Sequence, residues 1–530
     1  MIPNSAWISS IVVCLCVPVN DLTPEQNRGK QIFLNGISAR GNEITALLGI
    51  DSAPVPAAVL PCASCHGRDG GGRTEGGIAP SDITWDVLTK PYMVTNASGR
   101  QRSPYTEPLL KQAITMGVDS SGNPLQGAMP RFQLKLSDMD DLMAYLQVLG
   151  SETDPGITGS ELYLGVVLAP GPRLAESRAA LRLVLEAWQR HINSKGGIFG
   201  RDLKLRFLEP PEDSAARIAA LREFVTREPV FALLASTIAG VDREMAALVA
   251  EQGLPVVGAF SLYPQTASPV NRYLFYLQPG LAEQGRALVI FANRRLGHAP
   301  HYTAIVEAAD PLSPAAVEAV KSFSAGLGWE PMQEIQADDV LTGKWRPAGM
   351  DEVLILAPNT LAKVLESDNH SIQKTQYLVP APLVDIDLST LSEELRARIF
   401  ISYPALPSDG NDEGRVFYRN LMAESLNADQ HLPIQWTALT SARLLAFAME
   451  NCGRGLNREN LIEALEGAYH YSSGLAPDVS FSPNRRIGST GSHIAAANYL
   501  DRAEWIDPEL EPGVPILSRS TSKPEEALTR

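Results

Sequence analysis

The sequence predicts a multidomain protein: a helical first domain, then a two-lobed α/β domain with parallel sheets. Three observations predict this. A helical face made by Leu142, Tyr145, Leu146 and Leu149 closes the first part and stops at Gly150. A polar stretch containing Pro155-Gly156, residues 151–160, follows as a linker. Beyond residue 161, short apolar runs alternate with helical faces, which is the pattern of βαβ units.

At the N-terminus, Trp7–Val19 is apolar and short enough for the core of a signal segment over residues 1–20. The pattern is atypical. No Lys or Arg precedes it and no Ala-x-Ala site follows, and Cys14 and Cys16 follow Val13 and Leu15 instead of a small residue. The competing assignment is a buried N-terminal strand.

Residues 62–66, Cys62-Ala63-Ser64-Cys65-His66, form a CxxCH motif, the signature of covalent c-type haem attachment. Cys62 and Cys65 would add across the two haem vinyl groups, and His66 would be the proximal iron ligand. A zinc site needs four ligands. The other cysteines are Cys14, Cys16 and Cys452, and the next histidine is His191, so zinc is poorly supported. One covalent haem c is therefore the expected cofactor. The sixth ligand of such an iron is often a methionine. Met129 lies in a Gly- and Pro-containing loop, Gly127-Ala128-Met129-Pro130, and is the expected ligand. Met139 and Met143 fall in a helical pattern as packing residues, and Met116 ends an apolar segment before Gly117. Ser137 with Asp140 suggests a capping box for the closing helix. The Gly-rich stretch from Gly70 to Gly77 suits a backbone lying close to a flat porphyrin. Arg68, Trp85, Tyr92, Arg100 and Arg102 are candidate contacts to the haem edge or propionates, although each alone is more commonly surface or core.

On these residues, segment 25–149 resembles a class I cytochrome c. Gly29, Lys30 and Phe33 match the first helix, residues 62–70 the attachment site, and residues 129–149 the ligand loop and last helix. The resemblance implies an all-α fold in which the first and last helices cross at the haem edge. It also implies that Pro80 offers its carbonyl to the proximal imidazole. One departure is the long spacer between Phe33 and Cys62, which has no clear periodicity.

A net charge of −15 argues against non-specific nucleic-acid binding. No internal run is long and apolar enough to span a membrane. Strands are expected at Leu162–Leu168, Leu203–Leu208, Val230–Leu234, Leu254–Val257, Tyr302–Val306, Val353–Leu356, Tyr377–Val379 and Ile399–Tyr403. Helices are expected around Leu181–Ile192, Ala215–Val225 and Arg243–Ala250. So many units exceed one comfortable sheet, hence two lobes.

Residues 161–500 resemble the type I periplasmic binding proteins, in particular the branched-chain amino-acid receptors. The carrying segments are Gly165–Pro170, His191–Arg201, Leu234–Thr237, Gly253–Val257 and Val479–Gly488. Gly196, Gly197 and Gly200 are expected to serve a helix stop and turn. The resemblance implies a ligand cleft between hinged lobes. Ser236 and Thr237, at a strand end before a helix, are candidate ligand contacts or helix caps. Phe260, Ser261 and Tyr263 are further candidates. Two departures put amino-acid binding in doubt: Asp310-Pro311-Leu312-Ser313 replaces an acidic-Tyr-Gly element, and Gly280-Leu281 stands where the family has an acid.

The expected domains are a cytochrome c domain over 21–150, a linker over 151–160, a binding-protein-like domain over 161–505 and a tail over 506–530. The expected function is periplasmic electron transfer, the second domain binding a small organic ligand or docking to a dehydrogenase as redox partner. The alternative is a transport receptor or sensor with an accessory redox haem. No catalytic residues are expected, since Met129 would fill the open iron position that a haem enzyme needs.

Overall fold

The computed structural model describes residues 22–49, 54–72, 80–95, 99–150, 153–295, 302–306, 311–347, 352–367, 375–425 and 428–510. The signal segment with Cys14 and Cys16, the second half of the Gly-rich loop, linker residues Ser151 and Glu152, Asp310 and most of the C-terminal tail lie outside the described residues. The chain forms two compact units, 1–153 and 154–530.

In the first unit, helix Pro24–Asn35 opens at Thr23, which exchanges hydrogen bonds with Gln26 in a capping box. It buries Gly29, Ile32 and Phe33, which share one face, against the last helix, Leu136–Leu146. The approach is close. A Cβ on Gly29 would lie 2.0 Å from the Asp141 carbonyl oxygen and 2.8 Å from Tyr145 Cβ. Phe33 and Tyr145 then meet at 5.5 Å between ring centroids.

Asp141 is only 2% exposed at this crossing. Arg28 donates to both its oxygens at 2.9 Å, and Arg40 adds bonds of 2.8 and 3.2 Å. Burial pushes its pKa up, but the two guanidinium groups outweigh burial and hold the carboxyl at about 2.

The spacer before Cys62 acquires a role here. Its strands Thr45–Leu47 and Val55–Pro56 join Arg131–Gln133 in a small antiparallel sheet, so the helical frame carries a β element. Ser38 Oγ and Asn42 Nδ2 donate to Asp138 at 2.6 and 2.8 Å. Together with Arg40, the spacer therefore clamps the start of the last helix. These contacts also explain why Ser137 is not a cap. The helix starts behind Lys135, whose carbonyl accepts from Asp138 and Met139 at 3.0 Å each, and Asp140 pairs with Lys111 instead.

The second unit holds two sheets. One has the order Leu274–Phe275, Val256–Val257, Ala232–Leu234, Glu161–Val167, Asp202–Leu208, all parallel. The first two strands in sequence lie at one edge, so the order reverses between Glu161–Val167 and Ala232–Leu234. That reversal is the topological switch point. The other sheet runs Gln333–Gln336, Tyr302–Val306, Glu352–Ile355, Gln376–Pro380, Ile399–Tyr403 in parallel, then Ser492–Ala496 and Glu504–Ile506 antiparallel. Each sheet has its own core. Apart from Tyr263, the chain enters the second core at Leu281, returns to the first by Tyr418, and re-enters the second by Ile494.

The expected strands all occur, within about two residues at their ends. Four others were not legible. Leu274–Phe275 is two residues long, Gln333–Gln336 is a polar edge, and Ser492–Ala496 and Glu504–Ile506 break the βαβ rhythm. The last strand also moves the domain end past 505, with Asp507 accepting from the Thr490 hydroxyl at 2.7 Å. Gly196, Gly197 and Gly200 follow helix Ala175–Ser194, each with positive φ, as a helix stop and turn require.

Two predictions follow from the helix crossing. Gly29→Ala gains about 1 kcal/mol of helix propensity but forces apart packed backbone, at about 1–3 kcal/mol. Net destabilisation of the first unit is expected, measured as a lower midpoint of haem-circular-dichroism melting. Asp141 has a folded pKa below its ordinary 3.8, so its stabilisation is complete above pH 4 and lost as pH falls towards 2. Asp141→Asn is expected to cost about 2 kcal/mol at pH 7. The gap between wild type and variant should close between pH 4 and pH 2, as followed by urea titration at each pH.

Candidate functional site

The CxxCH segment forms a single helical turn, Ala63–His66, with Cys62 just before it. His66 N–H donates to the Cys62 carbonyl at 3.0 Å. Positions i, i+3 and i+4 share one side of a turn, so the spacing gathers both sulfurs and the imidazole. No disulfide joins Cys62 to Cys65; both are free thiols.

These three residues and Met129 line one cleft, with about 1270 Å³ of empty space including its solvent-facing mouth. Phe33 from the first helix, Leu142 and Leu146 from the last, and Leu110, Ile114 and Phe132 make its walls apolar. His66 is 7% exposed. Its Nδ1 lies 2.9 Å from the Ser81 carbonyl, so Nδ1 carries the proton and Nε2 keeps its lone pair for a metal. Burial lowers the imidazole pKa, and the Ser81 carbonyl partly opposes this. The expected carbonyl of Pro80 is not the acceptor. It faces Gly72, where a Cβ would lie 2.4 Å from the Pro80 oxygen, so the next carbonyl along reaches the ring. Gly72 N–H in turn donates to the His66 carbonyl at 2.8 Å, and Ile83 N–H to Gly70 at 2.8 Å. The described start of the Gly-rich loop is thus tied back on the attachment turn.

Met129 is half-buried on a turn closed by its own N–H to the Gln126 carbonyl, 2.9 Å. Met139 and Met143 are buried in the last helix, and Met116 is 60% exposed and does not line the cleft. Of the candidate edge contacts, Arg100 and Arg102 reach the cleft, whereas Arg68, Trp85 and Tyr92 do not. Arg102 is held by the carbonyls of Val87, Leu88 and Ser103 at 3.0–3.3 Å, and Arg100 pairs with buried Asp119 at 3.3 Å. Two thiols, an imidazole with a free Nε2 and a thioether on one apolar cleft fit a covalent haem c.

The second unit has its own cleft between the two sheets, lined by Phe260, Ser261, Leu277, Gln278, Gln284, Pro404 and Thr437 among others. Phe260 and Ser261 are thus placed as expected. Tyr263 is not; it is 6% exposed and packs into the second lobe's core. Ser236 is also corrected. It is fully buried at the switch point, its Oγ accepting from Val167 N–H at 3.0 Å and donating to the Leu234 carbonyl at 3.2 Å. It ties two parallel strands together and has no room for a ligand. Thr237 continues the strand, its N–H on Val167 O at 2.8 Å, and the next helix starts five residues on, at Asp242, so neither residue is its cap.

Sequence reasoning missed Gln278, Gln284 and Thr437. Gln278 Nε2 donates to Thr437 Oγ1 at 2.9 Å, which ties the segment leaving the first sheet to helix Leu432–Asn451. Gln284 receives Ser402 Oγ at 3.2 Å from the second sheet. Isolated Gln and Thr residues carry no motif, so no sequence signal marks them.

A family model described as periplasmic binding protein matches residues 164–498, more than half of the chain, and one described as cytochrome c matches residues 57–150. No curated protein matches the chain by sequence. Among solved structures, a branched-chain amino-acid ABC transporter protein from Thermus thermophilus with bound valine is 16% identical, with a TM-score of 0.53 over 66% of this chain and 96% of its own. A fatty acid ABC transporter substrate-binding protein from Thermomonospora curvata is 14% identical, TM-score 0.53, over 67% and 94%. A substrate-binding protein of an ABC transporter from Aeropyrum pernix is 16% identical, TM-score 0.52, over 66% and 95%. At these identities the likeness is one of fold.

Removing the Ser236 hydroxyl leaves the buried Val167 N–H without its acceptor, a loss of about 1–3 kcal/mol. Ser236→Ala should therefore lower the urea midpoint of the second unit, read by far-ultraviolet circular dichroism. An unchanged midpoint would show that the strand tie is not needed.

Proposed function

Since the chain belongs to the periplasmic binding protein family and carries a cytochrome c domain ahead of that match, we propose that it is an exported electron-transfer protein with one covalent haem c. Its second unit binds a small organic ligand, and its redox partner is a protein such as a periplasmic dehydrogenase. The observation that carries the reading is the meeting of Cys62, Cys65, His66 and Met129 on one apolar cleft.

In this reading Cys62 and Cys65 hold the haem by thioethers, and His66 and Met129 are the axial ligands. A haem so held supplies a one-electron couple between ferric and ferrous iron. The Ser81 carbonyl fixes the ring orientation of His66 and keeps Nε2 unprotonated. Phe33, Leu142 and Leu146 limit water in the cleft, and two guanidinium groups line it, buried Arg102 and Arg100 paired with Asp119. Attachment to CxxCH takes place outside the cytoplasmic membrane in proteins of this resemblance, and binding-protein relatives are exported, which supports a periplasmic location. No described helix is long and apolar enough to cross a membrane.

The interlobe cleft favours a second reading, in which the chain is a transport receptor or sensor and the haem reports redox state. Protein matured with its haem distinguishes the two. An electron carrier should exchange electrons with a partner at a rate independent of any cleft ligand. A sensor should change its potential when ligand binds.

Met129→Ala is expected to leave covalent haem in place, abolish the sulfur-to-iron charge-transfer band near the red edge of the spectrum, and lower the potential. A band that persists would remove Met129 from the iron. Cys62→Ala with Cys65→Ala should give protein that loses its haem on a denaturing gel.

A further inference from the structure

We propose that the interlobe cleft of the second unit takes an uncharged small organic ligand and rejects carboxylates, amino acids included. This deepens the ligand-binding reading above and rests on it.

The described residues lining the cleft include no Asp, Glu, Lys, Arg or His. Without a cation, a bound carboxylate would depend on neutral side-chain donors, of which Ser261 is spent on Asp242 and Thr437 on the Pro433 carbonyl, and on backbone N–H groups. The turn from the first sheet has none to give. Thr237 N–H donates to Val167 O at 2.8 Å, Ile238 and Ala239 to Phe260 O at 2.9 and 3.2 Å, and Val241 to Ile238 O at 3.0 Å. The remaining one, Gly240 N–H, donates to the protein's own carboxylate, Asp242 Oδ2, at 2.9 Å. Asp242 opens the helix that follows, is 2% exposed, and also takes the hydroxyl of Ser261, a lining residue. A resident anion thus occupies the place at a helix start where a ligand anion would gain most.

The opposite lobe repeats the arrangement. Gly280 N–H donates to Glu283 Oε2 at 3.0 Å and Leu281 N–H to Leu262 O at 2.9 Å. Glu283, 7% exposed, opens helix Leu281–Arg295, with Arg286 at 2.8 Å as counter-charge. Lining residues Pro279, Pro382 and Pro404 have no N–H at all. A carboxylate entering here sheds its water and meets no cation, and the buried carboxylates Asp242 and Glu283 lie just behind the lining. An ammonium group fares no better, because reaching Asp242 means displacing Ser261 from it.

An uncharged ligand avoids these costs. Apolar contact comes from Phe260 and Leu277. Orientation comes from the amides of Gln278 and Gln284, each of which has hydrogen-bonding capacity beyond its protein partners.

The test is calorimetric titration of the full-length, haem-loaded protein at pH 7 with two matched sets of probes. One set is isovaleramide, isovalerate, isoamylamine and leucine; the other is phenylacetamide, phenylacetate, phenethylamine and phenylalanine. In at least one set the amide should bind at least tenfold more tightly than the acid, the amine and the amino acid. A charged probe that binds as tightly as its amide overturns the inference and leaves the ligand-binding reading standing. If no probe binds, the ligand-binding reading fails and this inference with it. Gln278→Lys, a half-buried site, places a cation in the lining and should narrow the amide-to-carboxylate ratio at least fivefold. An unchanged ratio overturns the charge argument.

Discussion

The crossing of the first and last helices of the first unit sets where everything else in that unit can be. Its condition is a missing side chain. With hydrogen at Gly29, the backbone of one helix reaches the Asp141 carbonyl of the other. Phe33 then lies on the same wall as Leu142 and Leu146, and these three form part of the cleft that receives Cys62, Cys65, His66 and Met129. The crossing is fastened at its edge by one buried carboxylate with two guanidinium partners. Removing either arginine would leave the other to compensate a charge already out of water, so the three groups behave as a unit.

The second unit depends on a different economy, that of its backbone donors. Parallel strands buried on both faces must satisfy every polar group internally. At the switch point, and at the start of helix Leu281–Arg295 in the other lobe, the chain does so by turning its own side chains inward. Ser236 joins two strands, Asp242 takes Gly240 and Ser261, and Glu283 takes Gly280. Each of these bonds stabilises the fold, and those to Asp242 and Glu283 also take up donors beside the cleft. Fold and ligand class are therefore set by the same residues. A cleft with no cation in its described lining, and with the Gly240 and Gly280 N–H groups held by the chain's own carboxylates, offers an anion neither a counter-charge nor those two donors.

What was legible in the sequence was local. CxxCH works because its three groups fall on one turn of chain, so spacing alone places them. The βαβ rhythm likewise shows in runs such as Leu162–Leu168, because burial on both faces leaves no polar position in them. What was illegible depended on direction or on distance. Pro80 and Ser81 differ only in which carbonyl points at the imidazole, and that is decided by Gly72 packing against Pro80. Ser137 and Asp140 have capping-box spacing, but Asp138 is held by Ser38 and Asn42 from about a hundred positions away. Ser236 shows the same limit. A serine at a strand end is equally a ligand contact, a cap or a strand tie until the neighbouring strand is known.

The long spacer before Cys62 joins these points. It carries no periodicity, yet it contributes Ser38, Arg40 and Asn42 to the last helix and two strands to the sheet that includes Arg131–Gln133. That last strand begins two residues after Met129. A segment without a motif thus anchors both the helix that walls the cleft and the chain that leads out of the ligand loop. The position of the Met129 thioether then depends on hydrogen bonds and strand pairs made far from it, because a loop is fixed only as well as its two ends. In this domain the spacer supplies one of those ends, and its polar clamp on Asp138 and Asp141 is the means by which it does so.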